Sequence, residues 1–149
     1  MKISLKKVTE QDIPTLLFIE KSIVGSKTYS ALLNTGDWIK AIKDGPVYLI
    51  KKNEVIVGDI SYEIKSKDLA YISGLLILPD FQQQGIAREA MNSILAEIGD
   101  IERIDLVTHP ENFKAIGLYE SLGFKIESRK ENYFGDGEPR VVMVKSFSA

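Results

Sequence analysis

Residues 70–98 set the tightest limit on the fold. The run Ala70-Tyr71-Ile72-Ser73-Gly74-Leu75-Leu76-Ile77-Leu78 reads as a strand and stops at Pro79. A glutamine-rich turn follows, and a helix pattern begins at once. Ile86, Ala87, Ala90, Met91, Ile94, Leu95 and Ile98 recur at helical spacing and define one apolar stripe, with Arg88, Glu89, Asn92 and Glu97 elsewhere on the circumference. Such a helix has to bury its stripe against another layer, here a sheet.

The flanking sequence supplies that sheet. Residues 1–7 alternate polar and apolar and predict a first strand. Thr9-Glu10-Gln11-Asp12 offers a cap and an acidic first turn for a helix carrying Ile13, Leu16, Leu17, Ile19 and Val24. Ser30 is the candidate cap of a second helix bearing Leu32, Leu33, Trp38, Ile39 and Ile42, ended by Asp44-Gly45. Residues 46–50 and 55–62 are β-branched and aromatic runs separated by Lys51-Lys52-Asn53-Glu54, a hairpin pattern. Beyond the stripe, residues 104–108 predict a strand, 112–122 a helix closed by Gly123, and 124–129 with 141–144 a closing hairpin. Meander, crossover units and hairpin together indicate a mixed α/β domain, and 149 residues fit a single domain, 1–149.

Composition narrows the chemistry. The chain is 44% hydrophobic and 27% charged, with no apolar run near the roughly 20 residues a membrane helix needs, so a soluble protein without a membrane partner is expected. Its first residues lack the uninterrupted apolar stretch of a secretory signal, which makes the cytoplasm the default location. Zero cysteines exclude disulfides and cysteine nucleophiles, and a single histidine excludes a multi-histidine centre, so no metal is expected. A net charge of -2 offers no general attraction to nucleic acid and suits an amine-bearing substrate.

Between strand and stripe lie Gln82, Gln83, Gln84, Gly85, Ile86, Ala87 and Arg88, whose backbone N–H groups are expected to point outward at a helix N-terminus. Gly85 allows close approach of backbone to ligand, and a diphosphate would accept several N–H bonds at once. Read alone, the same residues fit a tight strand-to-helix turn without a ligand. The next helix carries Asn112-Phe113-Lys114-Ala115-Ile116-Gly117-Leu118-Tyr119-Glu120-Ser121-Leu122-Gly123-Phe124.

These two segments resemble the GNAT acetyltransferase superfamily, whose cofactor turn reads Q/R-x-x-G-x-G/A and whose following helix reads N-x-x-A-x-x-L-Y-x-x-x-G-F. Every specified position matches. The pattern is most similar to the bacterial and archaeal protein N-terminal acetyltransferases. The resemblance implies a central, mostly antiparallel sheet with a splayed parallel pair, flanked by about four helices. It implies acetyl-CoA as co-substrate, its pantetheine in the gap between the splayed strands and its pyrophosphate on the turn. Leu75, Leu76 and Ile77 would bond the pantetheine through backbone groups, and Asn112 would hold it from the other side. Tyr119 would be the general acid for the departing sulfur.

An amine nucleophile must also lose a proton. Where those relatives carry a glutamate or histidine, five residues before the asparagine, this chain has Val107. Asp105 and His109 share its strand parity, and His109 is the candidate base, since its ordinary pKa suits neutral pH. By the same resemblance Tyr133 and Phe134 of the closing hairpin, with Tyr29 of the early loop, would embrace the acceptor; they also fit simple packing of the hairpin. The expected reaction is direct transfer of acetyl to a primary amine in a ternary complex, the acceptor a protein or peptide N-terminus. A small amine acceptor (a polyamine or amino sugar) and a non-catalytic acyl-CoA-binding module are the alternatives. A monomer or homodimer is expected.

Overall fold

A computed structural model describes residues 2–147. In chain order the elements are β1 (Ile3–Lys7), a 3-10 turn (Glu10–Asp12), α1 (Ile13–Lys21), α2 (Thr35–Asp44), β2 (Val47–Lys52), β3 (Val55–Ser66) and β4 (Leu69–Ile77). A second 3-10 turn (Pro79–Phe81), α3 (Ile86–Ile98), β5 (Arg103–Thr108), α4 (Phe113–Ser121), β6 (Lys125–Lys130) and β7 (Arg140–Ser146) complete them. The strands form one sheet in the order β1-β2-β3-β4-β5-β7-β6, mostly antiparallel, with β4 and β5 as the parallel pair. No helix among the described residues is long and apolar enough to cross a membrane. The residues group into two compact units. The first holds the chain up to Val24 with Ala31–Glu63 and Ser73–Gly99, and the second holds Gly25–Ser30, Ile64–Ile72 and the chain from Asp100 onward.

In the first unit β1, β2 and β3 form an antiparallel meander. Asn53 and Glu54, at φ 49° and 73°, are both left-handed, as the tight β2–β3 hairpin turn requires. The α3 stripe buries Ile86, Ala90, Met91 and Ile94, each fully buried large side chain contributing about 1.5–3 kcal/mol. Asp12 accepts the Thr9 N–H at 3.0 Å and anchors the first helical turn where the sequence indicates. Val24 lies past the end of α1.

The second helix starts later than the sequence suggests. Asn34, not Ser30, is its cap, accepting the Asp37 N–H at 3.1 Å. The cause is tertiary. The Leu32 N–H donates to Glu20 Oε1 and the Leu32 carbonyl accepts from Trp38 Nε1, both at 2.9 Å, so this peptide is already committed elsewhere.

Gly58 lets β3 and β4 approach. A Cβ there would stand 2.1 Å from the Leu76 carbonyl oxygen, a backbone atom that no rotamer change can move. Gly58→Ala is therefore expected to cost about 3 kcal/mol, at the upper end of ordinary overpacking. Urea unfolding checks this, and a loss below about 1 kcal/mol would mean that the strands part without strain.

The second unit is built around β7, which pairs antiparallel with β5 on one side and with β6 on the other. The parallel pair enters it from Leu69↔Arg103 to Ile72↔Leu106. Arg140 at the start of β7 is 2% exposed, its guanidinium donating to the Pro139 carbonyl at 3.0 Å and to Asp136 Oδ2 at 3.2 Å.

Candidate active site

Gly85 is the N-cap of α3, at φ 81° and ψ 8°, and no side chain caps the helix. The Glu89 N–H donates to the Gly85 carbonyl at 3.2 Å, and the amides of Ile86 and Ala87 precede this bond in the first turn of the helix. Gln83 is also left-handed, at φ 64°. Gln82 Nε2 donates to the Ile77 carbonyl at 3.0 Å and ties the turn to the end of β4. Leu76 and Ile77 are buried there, and Leu75 is half-buried. The space where a Gly85 side chain would project is empty to 4 Å. Sequence reasoning missed Lys52, whose ammonium donates to Gln84 Oε1 and puts a cation beside the turn. Its signal was a lysine at the end of a strand, which is common on any surface.

Asn112 caps α4 in the second unit, Oδ1 accepting the Ala115 N–H at 3.3 Å, which leaves its Nδ2 as the donor a ligand can use. Tyr119 lies on the same helix and is 8% exposed. Its ring meets Phe124 edge-on at 6.1 Å, and burial pushes its hydroxyl up to about 12. The phenol thus holds its proton throughout the neutral range and acts there as a donor.

His109 is fully buried just beyond β5. Its Nδ1 accepts the Glu111 N–H at 3.0 Å, so Nε2 carries the ring proton and donates it to Glu138 Oε1 at 2.7 Å. Both ring nitrogens are thus engaged in hydrogen bonds within the second unit. His109, Glu111 and Glu138 bring ligand-type atoms within 4.8 Å of one another, and Lys27 pairs with Glu111 at 2.9 Å.

The second unit also contains a pocket of about 380 Å³. Val107 and Asp105 of β5 line it with Tyr71, Arg103, Glu127 and Tyr133. Arg103 organises its polar side, donating through Nε to Asp105 at 2.7 Å and through both terminal nitrogens to Glu127 at 2.8 Å. The structure thus brings Tyr133 together with Val107 and Asp105. Phe134 takes another place, edge-on to Tyr133 at 4.8 Å and beneath the Arg140 guanidinium at 5.1 Å, and is not among the lining residues. Tyr29 is half-buried and belongs to the same unit. The Arg103–Glu127 pairing escaped the sequence because the partners lie on different strands.

The same fold is found in solved structures. Arabidopsis thaliana Naa50, solved in complex with the bisubstrate analogue CoA-Ac-MVNAL, superposes with a TM-score of 0.81 at 24% identity, covering 99% of this chain and all of that one. The sequence pattern described as Acetyltransferase (GNAT) family matches residues 15–124, and the chain belongs to that family. It is 35% identical over 75 residues to the UPF0157 protein YqkA of Bacillus subtilis, across 50% of this chain and 22% of that one. It is 32% identical over 69 residues to the [Ribosomal protein bS18]-alanine N-acetyltransferase of Escherichia coli, across 45% and 47%. The match therefore spans less than half the length of either relative.

Proposed function

We propose that the chain is a single N-acetyltransferase domain that moves acetyl from acetyl-CoA to a primary amine, preferentially a protein or peptide N-terminus. The observation that carries this reading is the uncapped start of α3. A helix N-terminus whose N-cap supplies no side chain, a left-handed glycine whose side is open, and the Lys52 ammonium nearby match the chemistry of a diphosphate. Gln82, Gln83, Gln84, Gly85, Ile86, Ala87 and Arg88 hold the pyrophosphate, the backbone of Leu75, Leu76 and Ile77 orients the pantetheine, and Asn112 Nδ2 bonds it. Bound acetyl-CoA supplies the activated acyl group. The chain supplies position, which in favourable cases is worth about 7–11 kcal/mol.

Tyr119 donates its hydroxyl proton toward the departing sulfur. The acceptor occupies the pocket beside Tyr133 and Val107, whose size falls in the range of ordinary ligand sites. Its proton leaves through water on that side, where Asp105 is the nearest carboxylate to Val107 in sequence. Names of relatives support a peptide acceptor, since both the bS18-alanine enzyme and the Naa50 complex concern peptide N-termini.

The test is thiol release from acetyl-CoA against N-terminal peptides, polyamines and amino sugars. Release with at least one peptide and none without an acceptor is the expected result. Acetyl-CoA binding without release across the whole panel would favour a non-catalytic module.

A further inference from the structure

The pocket of about 380 Å³ lies wholly within the second unit, and its polar wall is one chain of ion pairs. Alternation along β5 puts Arg103, Asp105 and Val107 on one face of the sheet. Arg103 directs its two terminal nitrogens at Glu127, one to each carboxylate oxygen at 2.8 Å, and its Nε at Asp105 Oδ1 at 2.7 Å. A guanidinium committed as a fork to one carboxylate has most of its charge answered there. Two carboxylates against one guanidinium leave one negative charge over, and it lies at Asp105, the partner held by a single bond. A carboxylate has about four acceptor sites, and the Arg103 bond takes one of them. The Asp105 side chain is 22% exposed, so a ligand in the pocket can reach the rest.

The surroundings of that carboxylate suit a cation with an apolar body. Tyr71 is the partner of Asp105 across the β4–β5 pair, and Tyr133 lines the same pocket with Val107 and Val142. Aromatic faces attract an ammonium, and the valines accept its carbon chain. The two lysines of the lining lie against other groups. Lys65 stands over the Tyr71 ring at 5.6 Å, and Lys130 acts on Glu127, whose carboxyl Arg103 first of all holds below the ordinary range.

We propose that Asp105 is a specificity residue whose carboxylate binds the ammonium end of a primary amine, and that Glu127 is a positioning residue acting through Arg103, keeping the guanidinium fork off Asp105. The binding claim stands on the pocket alone. That the bound amine is the acetyl acceptor rests on the acetyltransferase reading.

The part given to Glu127 differs from that of a simple tie between strands. In Glu127→Gln the fork loses its anionic partner, and Asp105 is the carboxylate already bonded to Arg103. The guanidinium then turns its fork on Asp105, covers both oxygens and cancels the charge that draws the amine. Removing Arg103 as well uncovers Asp105 again.

Calorimetric titration of pentaalanine amide against its N-acetylated form, with CoA present in both, tests this. The wild type is expected to bind the free amine at least about tenfold tighter, the usual worth of hydrogen bonds to a charged group. Asp105→Asn is expected to bind the two forms alike, and so is Glu127→Gln. The double variant Glu127→Gln with Arg103→Gln is expected to regain the preference, which a lost tie between β5 and β6 cannot produce. Equal binding of both forms by the wild type overturns the ammonium site, as does a preference that survives in Asp105→Asn. A double variant as indifferent as Glu127→Gln overturns the positioning role. The wild-type pair decides alone if a variant fails to fold. In thiol release, Asp105→Asn is expected to raise KM for the peptide about tenfold and to leave kcat within about threefold. A fall in kcat at unchanged KM overturns recognition as the role of Asp105. Preference for the free amine without thiol release from any acceptor keeps the ammonium site and overturns the acetyltransferase reading.

Discussion

In Tyr119→Phe, turnover falls by about 10²–10⁴-fold, the usual contribution of a positioned proton donor, while the Kd for acetyl-CoA stays where it was. The substitution removes one oxygen and keeps the ring that packs edge-on against Phe124, so folding is preserved and the loss is chemical. Burial raises the phenol to about 12, which fixes the pH behaviour as well. Ionisation of Tyr119 imposes no alkaline limb on kcat below about pH 12, and its raised value diminishes stability only above about pH 10, where the unfolded phenol loses its proton. Steady-state kinetics with a competent acceptor check all three points. A near-normal kcat would remove Tyr119 from the chemistry.

Acetyl-CoA binding is expected to weaken by at least about 10²-fold in Gly85→Asp, because a carboxylate some 5 Å from a diphosphate costs about 3 kcal/mol at the effective dielectric of a protein surface. Nothing lies within 4 Å of the new Cβ, so no clash obscures the result. The remaining cost is a side chain at φ 81°, about 1–2 kcal/mol, and Gly85→Ala measures it separately. The alanine protein should keep most of its affinity in calorimetric titration. If both variants bind alike, the turn is a structural connection and the diphosphate lies elsewhere.

What the sequence made legible follows from how local each signal is. The α3 stripe, the hairpin at Asn53 and Glu54, and the start of the fourth helix at Asn112 are written in neighbouring residues, and the structure carries all of them. The α2 start is not local. Leu32 and Leu33 extend an apolar helical pattern, but Glu20 and Trp38 hold Leu32 from outside it, and Asn34 becomes the cap. His109 shows the same limit in the site. A backbone amide two residues on and a glutamate 29 residues away bond its two nitrogens, and the glutamate is not signalled by any neighbouring residue. The buried Arg140, Glu20 and Asp59 leave no periodic trace, because polar residues in a core are set by their partners rather than by their spacing.

The position of β7 between β5 and β6 has a consequence for synthesis. Strand β6 emerges from the ribosome before β7, its one partner among the described residues, and β5 waits still longer for the neighbour that covers its antiparallel edge. Until Arg140–Ser146 has been made, the second unit exposes two unpaired strand edges. That stretch of translation is the period in which the nascent chain is open to mispairing with another strand, and the charged residues along β6 (Lys125, Glu127, Arg129 and Lys130) oppose such pairing.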